Sequence, residues 1–323
     1  MRVGIVTPAW NMAPWIVATI RSVLAQTHTD WRLMVIDDGS TDATADLTAA
    51  FVDQRITLLR QANAGVSVAR NRGLAELDPS AEAVLCLDAD DCLAPDALAR
   101  LDAALDKAPA AVAAAGPCAI MGRVLRPMGG DLVEPLLCRN RFANGGHLLI
   151  RRTAAVAAGP YVPSLAYGED WDYLIRLALL GPFTVARGRA PVLHVHVRQG
   201  GACHRLASDP AAFRACLDTI FANPVLRARL GPARLAVLRQ RAEAESQWII
   251  GRELIRHGTS SAGRKWLRRS LRAQPSGRRL LLLAAAHALP LLPKKLRGPF
   301  TSYATGGAGP GGGVGEATRS HAR

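Results

Sequence analysis

The 323-residue chain is 49% hydrophobic and 20% charged, enough apolar material for a sizeable core, which excludes a mainly disordered polymer. Its length, about twice a typical domain, points to two domains or to one large domain with an appendage. The formal charge of +14 is uneven: residues 1–200 hold 19 Lys and Arg against 20 Asp and Glu, whereas 201–323 hold 21 against 6. A nucleic-acid or anionic-membrane partner, the usual reading of such a charge, therefore concerns only the C-terminal third.

Val3–Val6 reads as a buried strand that stops at Thr7-Pro8, and Ile16, Ile20, Val23 and Leu24 recur at helical spacing. Trp31–Ile36 predicts a second strand, closed by Asp37-Asp38-Gly39-Ser40, with Thr41-Asp42 opening a helix over Ala43–Phe51. Strand Ile56–Leu59, helix Val66–Leu77, strand Ala83–Leu87 and helix Asp96–Leu105 follow. This alternation implies parallel crossovers and an α/β sheet. Between Ala110 and Ile150 the pattern blurs, and only Leu148–Ile150 is assigned, as a strand. Trp171–Leu180 predicts a helix opened by Glu169-Asp170, and Val192–Val197 one more strand. Beyond Pro210 the chain reads as basic helices, with Trp248, Ile249, Leu254 and Ile255 on one and Trp266, Leu267 and Leu271 on the next. Thr305–Arg323 is Gly-rich, without core-forming periodicity, and is expected to be disordered.

Pro8 breaks the N-terminus too soon for a signal-peptide apolar core, and the six cysteines lie far apart with no C-x-x-C. Reduced thiols in a cytoplasmic protein are the expectation. The apolar run Leu280–Pro293 falls short of the roughly 20 residues a spanning helix needs. Followed by Lys294, Lys295 and Arg297, it suggests instead a helix lying on the inner face of an anionic membrane. No nucleic-acid motif accompanies the basic segment, so that partner is not expected.

Acidic clusters stand at three strand-to-helix junctions: Asp37-Asp38, Asp88/Asp90/Asp91 and Glu169-Asp170. Ligands of open α/β sheets bind beyond the carboxyl ends of the strands, where repeated carboxylates call for a hard cation such as Mg²⁺ or Mn²⁺. Each cluster alone is also ordinary turn and cap chemistry, and Asp91 is as well placed to cap the following helix. His194 and His196 alternate on one strand face near Cys203 and His204, in a spacing that matches no established zinc pattern. A partly buried core histidine is the favoured reading of each.

Taken in order, Val3-Gly-Ile-Val-Thr-Pro-Ala-Trp-Asn11, Ser22-Val-Leu-Ala-Gln-Thr27, Val35-Ile-Asp-Asp-Gly-Ser-Thr-Asp42, Asn63–Gly73, Leu87-Asp-Ala-Asp-Asp91 and Gly168-Glu-Asp-Trp-Asp172 resemble glycosyltransferase family 2. The resemblance covers roughly 1–200 and implies the GT-A fold, a Rossmann-like nucleotide half joined to an acceptor half in one sheet. The expected organisation is a GT-A catalytic domain over 1–205 by this resemblance, followed, from composition and periodicity, by a basic helical region over 206–300 and a disordered tail over 301–323. The resemblance further implies sugar transfer with inversion from a nucleotide-sugar, with UDP the expected nucleotide, to a glycan or lipid-linked acceptor. By the same resemblance Pro8, Ala9 and Trp10 lie along the base, although the family usually has Tyr where this chain has Trp10. Asp38 accepts from the uracil imide, and Arg70 or Arg72 faces the diphosphate. Asp88 contacts ribose or metal, Asp90 is the direct metal ligand, and His196 is the candidate to complete the metal shell. Asp170 is the catalytic base, while Glu169 orients the acceptor or serves the helix dipole. Asn144–His147 and Tyr161–Tyr167 are expected to shape acceptor choice. A nucleotidyltransferase or a non-catalytic nucleotide-sugar-binding protein are the alternatives. The first lacks its Gly-rich phosphate loop in Thr7–Met12, and the second is disfavoured by the presence of Asp170.

Overall fold

The computed structural model describes residues 1–197, 211–256 and 259–288. Cys203, His204, the segment 289–300 and the Gly-rich tail lie outside the described residues.

Val3–Ala9 (β1), Trp31–Asp38 (β2), Ile56–Gln61 (β3) and Ala83–Cys86 (β4) form the parallel half of a seven-stranded sheet. Its order is β10-β6-β9-β4-β1-β2-β3, where β6 is Ala113–Ala115, β9 Leu148–Arg151 and β10 Phe183–Val185. β9 runs antiparallel to both β4 and β6, so the sheet is mixed rather than wholly parallel as the alternation suggested. Cys92–Leu93 (β5), Cys118–Ile120 (β7), Arg123–Leu125 (β8) and Leu193–Val195 (β11) make a second sheet, in the order β5-β11-β7-β8.

Alternation along β1 divides the core. Val3 and Ile5 pack with Ile16, Ile20 and Val23 of Ile16–Leu24 (α1) and with Leu98, Leu101 and Leu105 of Ala97–Asp106 (α4). Val6 faces the other way. There it joins residues of Val66–Glu76 (α3), Val133–Cys138 (α5), Arg152–Ala158 (α6) and Glu169–Leu180 (α7). Thr44–Ala49 (α2) connects β2 to β3. β1 and β2 run two or three residues past their apolar stretches because each still has a parallel neighbour there: Pro8 pairs with Ile36 and Asp38 with Gln61.

The chain then continues in helices: Ala211–Phe221 (α8), Pro224–Arg256 (α9), Ser260–Ala273 (α10) and Gly277–Ala288 (α11). α9 breaks at Gly231, φ 72°, directly before Pro232. Of the apolar residues anticipated at helical spacing, Trp248, Ile255 and Leu267 form a small core with Ala286, whereas Leu254 and Trp266 pack against the main core. Arg279 is buried among them and donates to Glu245 and to Ser270 Oγ. Two ion pairs, Arg229–Asp131 and Arg234–Glu134, join α9 to the segment around α5. Five free cysteines are described, and no described helix is long and apolar enough to cross a membrane.

Candidate active site

The carboxyl ends of β1 and β2 are laced together by short polar side chains. Asn11, at φ 54°, donates its backbone N–H to Ser40 Oγ at 2.9 Å and accepts from Thr41 N at 2.8 Å. Met12 N donates to Thr44 Oγ1, and Ala13 N to Asp42. Pro8 and Ala9 are buried in this edge, while Trp10 is 50% exposed and presents its ring to solvent. Asp38 is buried and accepts from Gln61 Nε2 (2.7 Å), Ala64 N (2.9 Å) and Gly65 N (2.8 Å). A carboxylate offers about four acceptor positions. Asp38 therefore shapes the β3–α3 loop and keeps about one position for a further donor.

Arg70 is the centre of the site. Its guanidinium is buried on α3, with Nη2 on Asp88 at 2.9 Å and Nη1 on Glu169 at 3.0 Å, and the Tyr161 ring 5.3 Å away. Burial opposes its charge, but Asp88 and Glu169 outweigh that and hold it well above its ordinary range. Arg72, two residues on, turns instead to the end of β3 and donates to Arg60 O at 2.8 Å. Of the two arginines, only Arg70 joins the acidic turns. Glu169 thus has a role unforeseen in the sequence, as the counterion that ties the start of α7 to Asp88 through Arg70.

Asp170 stands beside Glu169 in the first turn of α7 and accepts from Asn140 Nδ2 at 3.3 Å. Burial, then the neighbouring Glu169 charge, push its carboxyl up to about 7, against the pull of Arg70. Gly168 makes this entry possible. It sits at φ 77°, and a Cβ there would lie 2.3 Å from Cys216 Sγ on α8. Trp171 is buried and donates to Leu136 O at 2.7 Å, so it packs α7 on α5.

Asp91 does not cap α4. It is buried and accepts from His196 N at 2.8 Å and from Asn144 Nδ2, fastening the Asp88–Asp91 turn to the end of β11 and to the short 3₁₀ turn Gly145–His147. The strand geometry overrides the cap because the turn passes first into β5, which pairs with β11. His196 is brought to this turn by its backbone, while its exposed ring lies 6.0 Å from that of Trp15. His194 is also exposed, against the core-histidine reading of both. The buried core histidine is His147, which contacts Gly116 O at 2.8 Å through Nδ1 and is pushed down to about 4 by burial. Asn144 and His147, expected to shape acceptor choice, are thus internal. Tyr161 is likewise buried, stacked on Tyr173 at 4.2 Å. Asn140, the contact of Asp170, lay in the blurred stretch and carried no periodic signal.

The donor set suits a hard divalent ion. Asp88 and Asp90 offer carboxylate oxygens on one turn, and Asp91 beside them is pushed up to about 8 by burial and then by the Asp88 and Asp90 charges. That crowding of negative charge is what a cation relieves. Among the described residues no group of three or more His, Cys, Asp or Glu is placed to hold a metal alone. Mg²⁺-type ions need only one or two carboxylates when substrate phosphates and water supply the rest.

The profile described as "Glycosyl transferase family 2" matches residues 4–147. A PGL/p-HBAD biosynthesis glycosyltransferase from Mycobacterium bovis (strain BCG / Pasteur 1173P2) is 30% identical over 220 residues, 67% of this chain and 84% of that protein. The chain belongs to glycosyl transferase family 2. The putative teichuronic acid biosynthesis glycosyltransferase TuaG of Bacillus subtilis (strain 168) is 36% identical over 101 residues, 30% of this chain and 39% of TuaG. The matches to this and comparable curated relatives span only 16–39% of those proteins. Among solved structures, S. aureus TarS 1-349 in complex with UDP-GlcNAc aligns with TM-score 0.58 at 17% identity, over 89% of this chain and 88% of that one. The mannosyltransferase PcManGT from Pyrobaculum calidifontis, in complex with GDP-Man and Mn2+, aligns with TM-score 0.59 at 20% identity, over 94% and 82%. The fold of this family member is that of these transferases: a central mixed sheet with helices appended.

Proposed function

We propose that this chain is an inverting glycosyltransferase that moves a sugar from a nucleotide-sugar to a hydroxyl acceptor, with residues 1–205 as the catalytic unit. The observation that carries the reading is the unbroken sequence of contacts Asp88–Arg70–Glu169, leading to Asp170 and Asn140. These contacts link the Asp88 turn, read here as the diphosphate site, to Asp170, read here as the base. Trp10, the backbone of Pro8 and Ala9, and the open position on Asp38 bind the nucleoside. Asp88 and Asp90, with His196 nearby, hold a divalent cation. When bound, that ion neutralises charge on the departing diphosphate.

Asp170 takes the proton of the acceptor hydroxyl as its oxygen attacks the anomeric carbon, and the nucleoside diphosphate leaves from the opposite face. A carboxyl that titrates near the working pH suits this task. Arg70 holds the Asp88 and Glu169 carboxylates in place, and Asn140 orients Asp170. UDP-GlcNAc bound to TarS and GDP-Man with Mn2+ bound to PcManGT support a nucleotide-sugar donor. TuaG and the mycobacterial relative support an envelope glycan or lipid-linked acceptor.

An anionic membrane surface suits α10 and α11, where residues 260–288 hold seven Lys and Arg and no acid, and Leu280 and Leu281 are exposed. Sedimentation with phosphatidylglycerol vesicles should be lost in Leu280→Glu/Leu281→Glu; equal binding removes the membrane from the reading. The function itself is tested by nucleoside-diphosphate release across UDP- and GDP-sugars with Mn²⁺, and by the anomeric configuration of the product. No release from any donor, or retained configuration, would overturn it.

A further inference from the structure

Asp170 does not reach its place by α7 alone. Its carboxylate accepts from Trp171 N at 2.7 Å, so it moves with the first turn of the helix. Tyr167 and Gly168 lead into that turn, and both rest on α8 of the appended helices. The Tyr167 ring lies 4.5 Å from that of Phe213, and the Cys216 thiol donates to Gly168 O at 3.6 Å. Gly168 O also accepts from Asp172 N at 3.0 Å, the bond that starts α7.

Phe213, Cys216, Leu217 and Ile220 share one buried face of α8 at helical spacing. α8 is itself tied to α9 by Arg239, which pairs with Asp218 and lies over the Phe221 ring. Gly168, in the left-handed region, has no room for a side chain where it meets Cys216. Burial, and then Asp170, Asp172 and Glu169, push the Cys216 thiol well above its ordinary range. It therefore stays an S–H donor rather than a thiolate facing three acids. Trp171 anchors the turn on α5, and the Phe213 and Cys216 contacts give it a second anchor.

We propose that Cys216 and Phe213 are positioning residues for the base: they fix the Tyr167–Gly168 turn from which Asp170 projects. This deepens the glycosyltransferase reading and rests on it for the word base. The catalytic unit then extends past residue 205 into α8, and the helical region gains a part in the chemistry. A base must stand within hydrogen-bond reach of the hydroxyl it deprotonates, and a displacement of about 1 Å can cost about a hundredfold in rate. The side-chain hydrogen bonds of Asp38, Arg70 and Asp88 involve no residue of α8. Donor binding and the proton step are therefore separable.

Two measurements on the full chain test this. Without ligand, hydrogen exchange followed by mass spectrometry compares the wild type with Cys216→Ala. Exchange across Tyr167–Asp172, where the Asp172 amide reports the first bond of α7, should speed about tenfold while β1–β4 keep their protection. In nucleoside-diphosphate release from the UDP- or GDP-sugar turned over fastest, Cys216→Ala should lower kcat about ten- to a hundredfold and leave donor KM within about twofold. Cys216→Ser, which keeps a donor, should recover most of the loss. Gly168→Ala should also lower kcat, and adding Cys216→Ala to it should restore part, because the second change removes the sulfur that the new Cβ strikes. Should Cys216→Ala not fold, Phe213→Leu removes the ring from Tyr167 while keeping an apolar residue, and carries the same expectations at smaller size. Unchanged exchange across the turn overturns the proposal, as does a kcat that Cys216→Ala leaves intact. A fall in kcat matched by an equal rise in donor KM, or by lost protection throughout the sheet, assigns Cys216 to general stability and equally overturns it. If exchange in the turn speeds but the wild type turns over no donor, the anchor on the turn stands and the transferase reading fails.

Discussion

In the α/β half, Asp37, Asp38, Arg70 and Asp91 are at most 5% exposed, and each is held by named partners. In α10 and α11, Lys265, Arg268, Arg269 and Arg272 are exposed. Formal charge misleads in both regions. The half with almost no net charge holds the strongest local fields, because opposite charges are buried at contact distance. The C-terminal third, with most of the charge, spends most of it on a screened surface, although Arg279 is buried against Glu245. A charge becomes informative when burial and partnership are known.

The comparison breaks first at Asp170. Asp170→Asn should lower transfer by about 10²–10⁴-fold, the usual worth of a positioned base, while donor binding by calorimetry stays close to wild type. Retained turnover would remove the base from the buried network. Next is pH. The Asp170 carboxyl, pushed up to about 7, is protonated below that value, so kcat/KM should fall about tenfold per unit below pH 7. The sign reverses for stability. A raised carboxyl favours the fold at low pH, and that contribution is lost as pH rises through about 7. A flat kcat/KM profile between pH 5 and 8 would contradict the assignment.

Arg70→Met should then cost about 3–5 kcal/mol in denaturant unfolding, since it leaves Asp88 and Glu169 without their shared cation. The smallest effect belongs to the surface. A double-mutant cycle on Arg234–Glu134, whose side chains are 44% and 38% exposed, should give about 0.2–1 kcal/mol. A coupling as large as the Arg70 effect would erase the distinction between the two regions.

Much of the nucleotide half was legible because its strands are long, β-branched and closed by acidic turns; β2 and α1 fall where the periodicity places them. The acceptor half was legible only in part: Leu148–Ile150, Trp171–Leu180 and Val192–Val197 fall on β9, α7 and β11, but the elements between Ala110 and Arg139 were missed. Ala113–Ala115 is a strand of three alanines with no β-branched residue, and Arg123–Leu125 is exposed throughout, so neither carries a pattern. Tertiary pairing makes them strands. At the site, residue types were readable but partners were not. Arg70 could have been a solvated helix residue, and only packing against Glu169 shows otherwise. Asn140 and the Asp91–His196 tie depend on contacts 30 and 105 residues apart, which no local window contains.

That separation has a consequence for how the molecule is made. Arg70 meets Asp88 across 18 residues but Glu169 only across 99. On a chain emerging from the ribosome, the first four strands and α3 are complete long before Glu169 exists. Until then the Arg70 guanidinium lacks both Glu169 and the Tyr161 ring that cover it in the finished fold. The nucleotide half can collapse early, yet its central cation is settled only when α7 docks, so completion of the Asp88–Arg70–Glu169 contacts is a late step, timed by the acceptor half.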